Sequence, residues 1–261
     1  MKIHWFRAIL CMLAYAVIAG SPVIDHPAHA QVESSDEPAS GISMTVIEQA
    51  SRLVDSEPLR AMALIDEQIS ILPATQDADA NIIRLYMLKS LILSRLGQNN
   101  EALRVAKRAF GLFEAAGLDP QSKLHADLLM AKARAHEHLG DMASALTDYF
   151  AAWGVFDALG DNEGMAAAHA SGAGIYQEIG QWDNAISNYQ RALVRAEQTG
   201  DTFLRARIIN NLAYAYVTSG EAQKAYDLLI SARPLIEELN NPLVSAYVDD
   251  NIGEAGQSGP I

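Results

Sequence analysis

From residue 44 onward, apolar side chains recur at helical intervals. Leu124, Leu128, Leu129, Ala131, Ala135 and Leu139 trace one such face, with polar residues between them. No stretch alternates apolar and polar residues beside turn pairs, so no sheet is predicted. The helical stretches are broken at regular places by glycine. In RLGQNNEAL, HLGDMASAL, EIGQWDNAI and TSGEAQKAY the glycines are Gly97, Gly140, Gly180 and Gly220, spaced 43, 40 and 40 residues apart. A fixed period of this length is the signature of a repeat architecture.

Other positions keep the same register. Five residues after each glycine stands Ala102, Ala145, Ala185 or Ala225, and seven further on Ala109, Ala152, Ala192 or Ala232. A second turn signal closes each unit at Gly117, Gly160, Gly200 and Asn240. Each unit is therefore two helices, with glycine just past a helix end, where the chain needs positive φ. Asp119, Asp161 and Asp201 follow the second turns and are the expected N-caps of the next helices. Small alanines let paired helices approach closely, while Phe110, Trp153, Tyr149, Tyr189 and Leu229 fill the space between pairs.

These units resemble tetratricopeptide repeats. With each turn glycine set at the family's mid-repeat glycine, the usual small residue of helix A falls on Ser90, Ala133, Ala173 and Ala213. The large residue three further on falls on Leu93, His136, Tyr176 and Tyr216. The period exceeds the family's usual 34 residues and is similar to the longer repeats of the bacterial-regulator and kinesin-light-chain branches. The fold this implies is all-α, a right-handed α-solenoid of stacked antiparallel helix pairs. The expected units are about 42–76, 77–118, 119–160, 161–200 and 201–240, with a partial unit over 241–256 and a tail over 257–261. In the first unit Ala61-Met62 matches Ala102-Leu103; in the last, Tyr247, Asp250, Asn251 and Ile252 match Arg207, Asn210, Asn211 and Leu212. GEAGQSGPI then abandons the pattern midway through a helix A.

The N-terminus reads as an export signal. Lys2 and Arg7 precede an uncharged, largely apolar run of 13 residues, 8–20, and Ala28-His29-Ala30 supplies small residues for cleavage before Gln31. At 1.5 Å per residue that run reaches roughly 20 Å, short of the roughly 30 Å hydrocarbon core. The expectation is a cleaved signal peptide over 1–30 and a periplasmic or secreted bacterial protein; a membrane enters only if the segment stays uncleaved. Residues 31–41 are polar and contain Pro and Gly, and are expected to form a disordered leader.

Charge and chemistry narrow the function. Lys and Arg number 19 against 32 Asp and Glu, for a net charge of -13, which argues against nucleic acid as a partner. The single cysteine, Cys11, lies in the signal segment, so neither a disulfide nor a cysteine-rich zinc site is expected. His136 and His138 are two apart on a helix and point to different faces, unlike the i, i+4 pair a metal site favours. Ser171-Gly172-Ala173-Gly174 lacks the strand and the Lys-Ser/Thr of a phosphate loop and suits close helix packing. No nucleophile motif is present, so neither catalysis nor a cofactor is expected.

The family resemblance implies a groove lined by the non-packing residues of each helix A. Arg84, Arg134 and Arg207 fall on that face, and a guanidinium pairs bidentately with a carboxylate, which suits an acidic or C-terminal peptide. In the longer-repeat relatives an asparagine at the place of Asn210 and Asn211 hydrogen-bonds the backbone of a bound peptide; the alternative is a bond within the helix pair. The leading expectation is an exported, non-enzymatic adaptor that binds a protein or peptide through Arg84, Arg134, Arg207, Asn210 and Asn211. The runner-up is the extracytoplasmic sensor module, including one cut short, of a membrane-bound signalling protein such as a repeat-containing diguanylate cyclase. A third reading is a structural scaffold that binds through its convex surface or by self-association.

Overall fold

A computed structural model describes residues 44–72, 79–239, 248–249 and 252–253. The expected signal peptide, leader and tail lie outside these residues, as do Asn240, Tyr247, Asp250 and Asn251. Ten helices form five consecutive pairs: α1 Met44–Ser56 and α2 Pro58–Ser70, α3 Ala80–Arg95 and α4 Asn99–Ala115, α5 Lys123–His138 and α6 Met142–Leu159, α7 Asn162–Glu178 and α8 Trp182–Ala196, α9 Thr202–Thr218 and α10 Ala222–Glu238. No strand occurs among the described residues, and no helix there is long and apolar enough to cross a membrane.

The turns form where the glycine spacing places them. Gly97, Gly140, Gly180 and Gly220 separate the two helices of a pair, and Gly117, Gly160 and Gly200 separate successive pairs. All seven have φ between 62° and 88°, the left-handed region that disfavours a side chain. Backbone bonds of the C-terminal type close these turns, as when Asp141 N donates to His136 O at 2.9 Å and Glu221 N to Tyr216 O at 2.7 Å. Asp161 and Asp201 cap α7 and α9, accepting from Gly164 N and Leu204 N at 2.9 Å each. The third expected cap differs: Ser122 caps α5 through His125 N, while Asp119 Oδ1 accepts from Gln121 N, because the Asp119-Pro120 turn delays helix entry by three residues.

The chain divides into two compact units, one ending at Asp148 and the other beginning at Tyr149. In the first, α1 to α5 pack as neighbours in sequence, with α1 also on α3 and α3 on α5. Ile47, Ala50, Ile65, Leu85 and Ile92 fill the space among α1, α2 and α3. In the second, α7 to α10 share one core containing Ala173, Ala185, Tyr189, Ile208, Leu212 and Leu229. The repeated alanines work as the pattern requires: Ala102, Ala109, Ala145, Ala152, Ala185, Ala192 and Ala225 are fully buried. Tyr149, Tyr189 and Leu229 are likewise buried, whereas Phe110 and Trp153 are half-buried. The glycine-rich run 171–174 lies inside α7, as expected of a packing element.

Candidate functional site

The five residues expected on the helix A face fall in both units. Arg84 lies on α3 and Arg134 on α5, both half-buried. Arg84 Nη1 donates to Asn81 Oδ1 at 3.2 Å, one turn earlier on the same helix. Arg134 is within electrostatic reach of His138, and so is Arg95 at the end of α3. Burial first, then these two cations, hold the His138 imidazole below its ordinary range, partly offset by Glu137. In the second unit, Arg207, Asn210 and Asn211 fall within one turn of α9, at the i, i+3 and i+4 spacing that shares a helix face. Arg207 and Asn211 are half-buried, while Asn210 is 8% exposed. Arg207 and Asn210 both have interaction partners.

Arg84 and Arg207 each stand thirteen residues before their turn glycine, Gly97 and Gly220. The same face is thus cationic in two repeats. His136, two residues before His138 on α5, places Nδ1 3.2 Å from Asp141 Oδ2. Among the described residues no group of three or more His, Cys, Asp or Glu is placed to hold a metal.

A cleft of about 420 Å³ lies in the second unit. Trp153 from α6, His169 from α7 and Arg191, Val194 and Arg195 from α8 line it. His169 is buried and its Nδ1 is 3.1 Å from Asn188 Oδ1. Asn188 Nδ2 donates to Asn184 O at 2.9 Å, which leaves Oδ1 as the atom facing the ring. His169 therefore carries its proton on Nδ1. Burial pushes its pKa down, the Asn188 bond pulls it partly back, and the positive charges of Arg191 and Arg195 lower it further. Trp153 packs against the His169 ring at 5.4 Å between centroids, and Phe150 meets it edge-on at 6.4 Å. Helix A reasoning missed this cleft because four of its five lining residues sit on second helices. The available signal was the pair of arginines one helical turn apart, Arg191 and Arg195.

Paired helices, a left-handed glycine at each of the seven turns from Gly97 to Gly220 and alanine-filled contacts define an α-solenoid of helical repeats. Residues 165–238 match the tetratricopeptide repeat family. Solved structures share the fold. BtubC (BKLC) from P. vanneervenii is 21% identical, aligns over 76% of this chain and 82% of its own, and gives a TM-score of 0.64. The apo form of RapI is 14% identical over 82% of this chain and 60% of its own, at 0.69. A Signal Transduction ATPase with Numerous Domains protein with a tetratricopeptide repeat sensor, from Pyrococcus horikoshii, is 19% identical over 82% of this chain and 32% of its own, at 0.66. No curated protein sequence matches the chain. Residues 165–238 are thus tetratricopeptide repeats, and the solved structures show that the described helices share the repeat fold. Repeats of this kind generally act as protein-interaction scaffolds rather than catalysts.

Proposed function

We propose that this protein is an exported, non-catalytic adaptor that binds a protein or peptide partner on the helix A face. The observation that carries the reading is the arginine repeated at one register, Arg84 and Arg207, joined on α9 by Asn210 and Asn211 within one turn. Guanidinium groups recognise a carboxylate bidentately, and an amide supplies both a donor and an acceptor to a peptide group. Arg134 adds a third cation. Asn211, the more open of the two amides, is the better placed to reach a ligand. The N-terminal n-region, apolar run and Ala28-His29-Ala30 support delivery to the periplasm or beyond, after cleavage following Ala30.

The test is a pull-down from envelope extract followed by mass spectrometry, with wild-type protein and the Arg207→Ala, Asn211→Ala double variant. The expected result is a partner retained by the wild type and lost by the variant, with helicity and Tm unchanged. A partner held equally by both proteins would remove the helix A face from the reading. A second reading, a sensor module of a membrane-bound signalling protein, draws support from the likeness to the P. horikoshii protein with its repeat sensor. Its discriminator is an apolar helix and a GGDEF-type motif encoded in the DNA after codon 261.

A further inference from the structure

The cleft among α6, α7 and α8 presents a second binding surface, formed mainly by second helices and separate from the face that carries Arg207 and Asn211. Its volume falls in the roughly 300–1,000 Å³ span of small-ligand sites. Three of its properties bear on what would fill it. Arg191 and Arg195 are four residues apart on α8, a rise of about 6 Å, so both guanidinium groups reach the same cleft. Neither pairs with a carboxylate among the described residues, although the chain carries 32 Asp and Glu against 19 Lys and Arg. Between them Val194 is 54% exposed, and the Trp153 ring forms part of the wall.

The third property is the state of His169. Because Asn188 holds its Nδ1 proton and burial disfavours the imidazolium, the ring adds no third positive charge. The cationic part of the cleft is confined to two arginines, and the rest is aromatic or apolar. A bare inorganic anion would satisfy the arginines and leave Trp153 and Val194 against water. A chain segment that alternates carboxylates with apolar side chains covers both parts at once.

We propose that this cleft binds an acidic peptide segment of a partner protein, with carboxylates on Arg191 and Arg195 and an apolar side chain against Trp153 and Val194. Charge complementarity selects the segment, since guanidinium–carboxylate pairs form bidentately. The net charge of -13 keeps acidic chains away from most of the remaining surface, so the contact is local and sensitive to salt.

The test uses the full-length Trp5→Phe, Trp182→Phe protein, in which Trp153 is the sole tryptophan. The acetylated hexapeptide Glu-Leu-Glu-Leu-Glu-Leu is titrated against Trp153 emission. A saturable change is expected. The Arg191→Gln, Arg195→Gln variant should bind about tenfold more weakly or worse, and so should a Glu-Gly hexapeptide on the unaltered cleft. Arg207→Ala should leave the affinity unchanged, which separates this site from the helix A face. If the double variant melts early, Val194→Glu at the exposed position places a carboxylate in the cleft and should cause a similar loss. The proposal is overturned if no saturation is seen, if the variants bind as the parent does, if a Lys-Leu hexapeptide binds equally, or if inorganic phosphate alone reproduces the signal and displaces the peptide.

Discussion

The α4–α5 junction of the first unit and the α6–α7 junction of the second use the same repeat positions and end in different surfaces. Phe113 and Phe156 stand sixteen residues after Gly97 and Gly140, and both are buried. Opposite them, sixteen residues before the next turn glycine, are Leu124 in one junction and Gly164 in the other. In the first, Phe113 stacks on His125 at 5.2 Å, Phe110 joins at 5.3 Å, and Lys132 Nζ stands 4.7 Å from the Phe110 ring and 2.9 Å from Asp148 Oδ1. Arg108 is also occupied, 5.1 Å above the Tyr86 ring. One repeat on, the counterpart of Lys132 is Gly172 and that of Phe110 is Trp153; two repeats on, Arg191 holds the place of Arg108 and His169 that of Tyr86. The first junction consumes its cations in its own packing. The second leaves its arginines beside an open cleft.

The largest effect that would break this comparison is at Gly164. A Cβ there would stand 2.2 Å from Phe156 Cδ1, and that side chain is 2% exposed with little room to move. Gly164→Ala should destabilise the protein by about 1–3 kcal/mol, read as a fall in Tm by circular dichroism. Adding Phe156→Leu should recover part of the loss. An unchanged Tm for Gly164→Ala would mean that α6 and α7 do not depend on that close approach.

A smaller effect of opposite sign is expected on the solvent side of both junctions. Gly111 and Gly154 stand fourteen residues after Gly97 and Gly140, inside α4 and α6, where an added Cβ meets nothing within 4 Å. Neither has a positive φ, so their freedom only burdens the helices. Gly111→Ala and Gly154→Ala should each raise stability by about 0.5–1 kcal/mol in denaturant unfolding. A gain at Gly111 without one at Gly154 would show that the two second helices differ in more than the residues named above.

The glycines, alanines and two of three aspartate caps were legible in the sequence because each answers a local backbone or contact requirement that repeats with the period. Ser122 was not, since a proline turn displaced the helix start. The Gly164–Phe156 contact was hidden for a different reason: a glycine in a helix looks alike whether it faces solvent, as Gly154 does, or a buried ring. Arg207 and Asn211 could be assigned to one helix face from spacing, but the burial of Asn210 depends on how α9 packs. The cleft needed two comparisons along the chain, Arg191 with Arg108 and His169 with Tyr86. The glycine register permits both, but it cannot say that one pair closes while the other stays open.

The smallest expected effect depends on pH. His169 is held below its ordinary pKa of 6.5 by burial, with Arg191 and Arg195 adding to the shift and the Asn188 bond opposing it. As pH falls, the unfolded chain takes up this proton before the folded protein does. The stability that His169 contributes is complete above about pH 7.5 and drains away as pH falls through the unfolded value towards the lower folded one. The Tm of the wild type should therefore drop more between about pH 7.5 and about pH 5.5 than that of His169→Gln. His138, shifted the same way, is present in both proteins and cancels, and the depressed carboxylates Glu101 and Asp141 titrate below this window. An equal drop in both proteins would mean that His169 binds its proton alike in the folded and unfolded states. Saturation with the glutamate–leucine hexapeptide should narrow the difference, because carboxylates beside Arg191 and Arg195 offset the charges that disfavour the imidazolium.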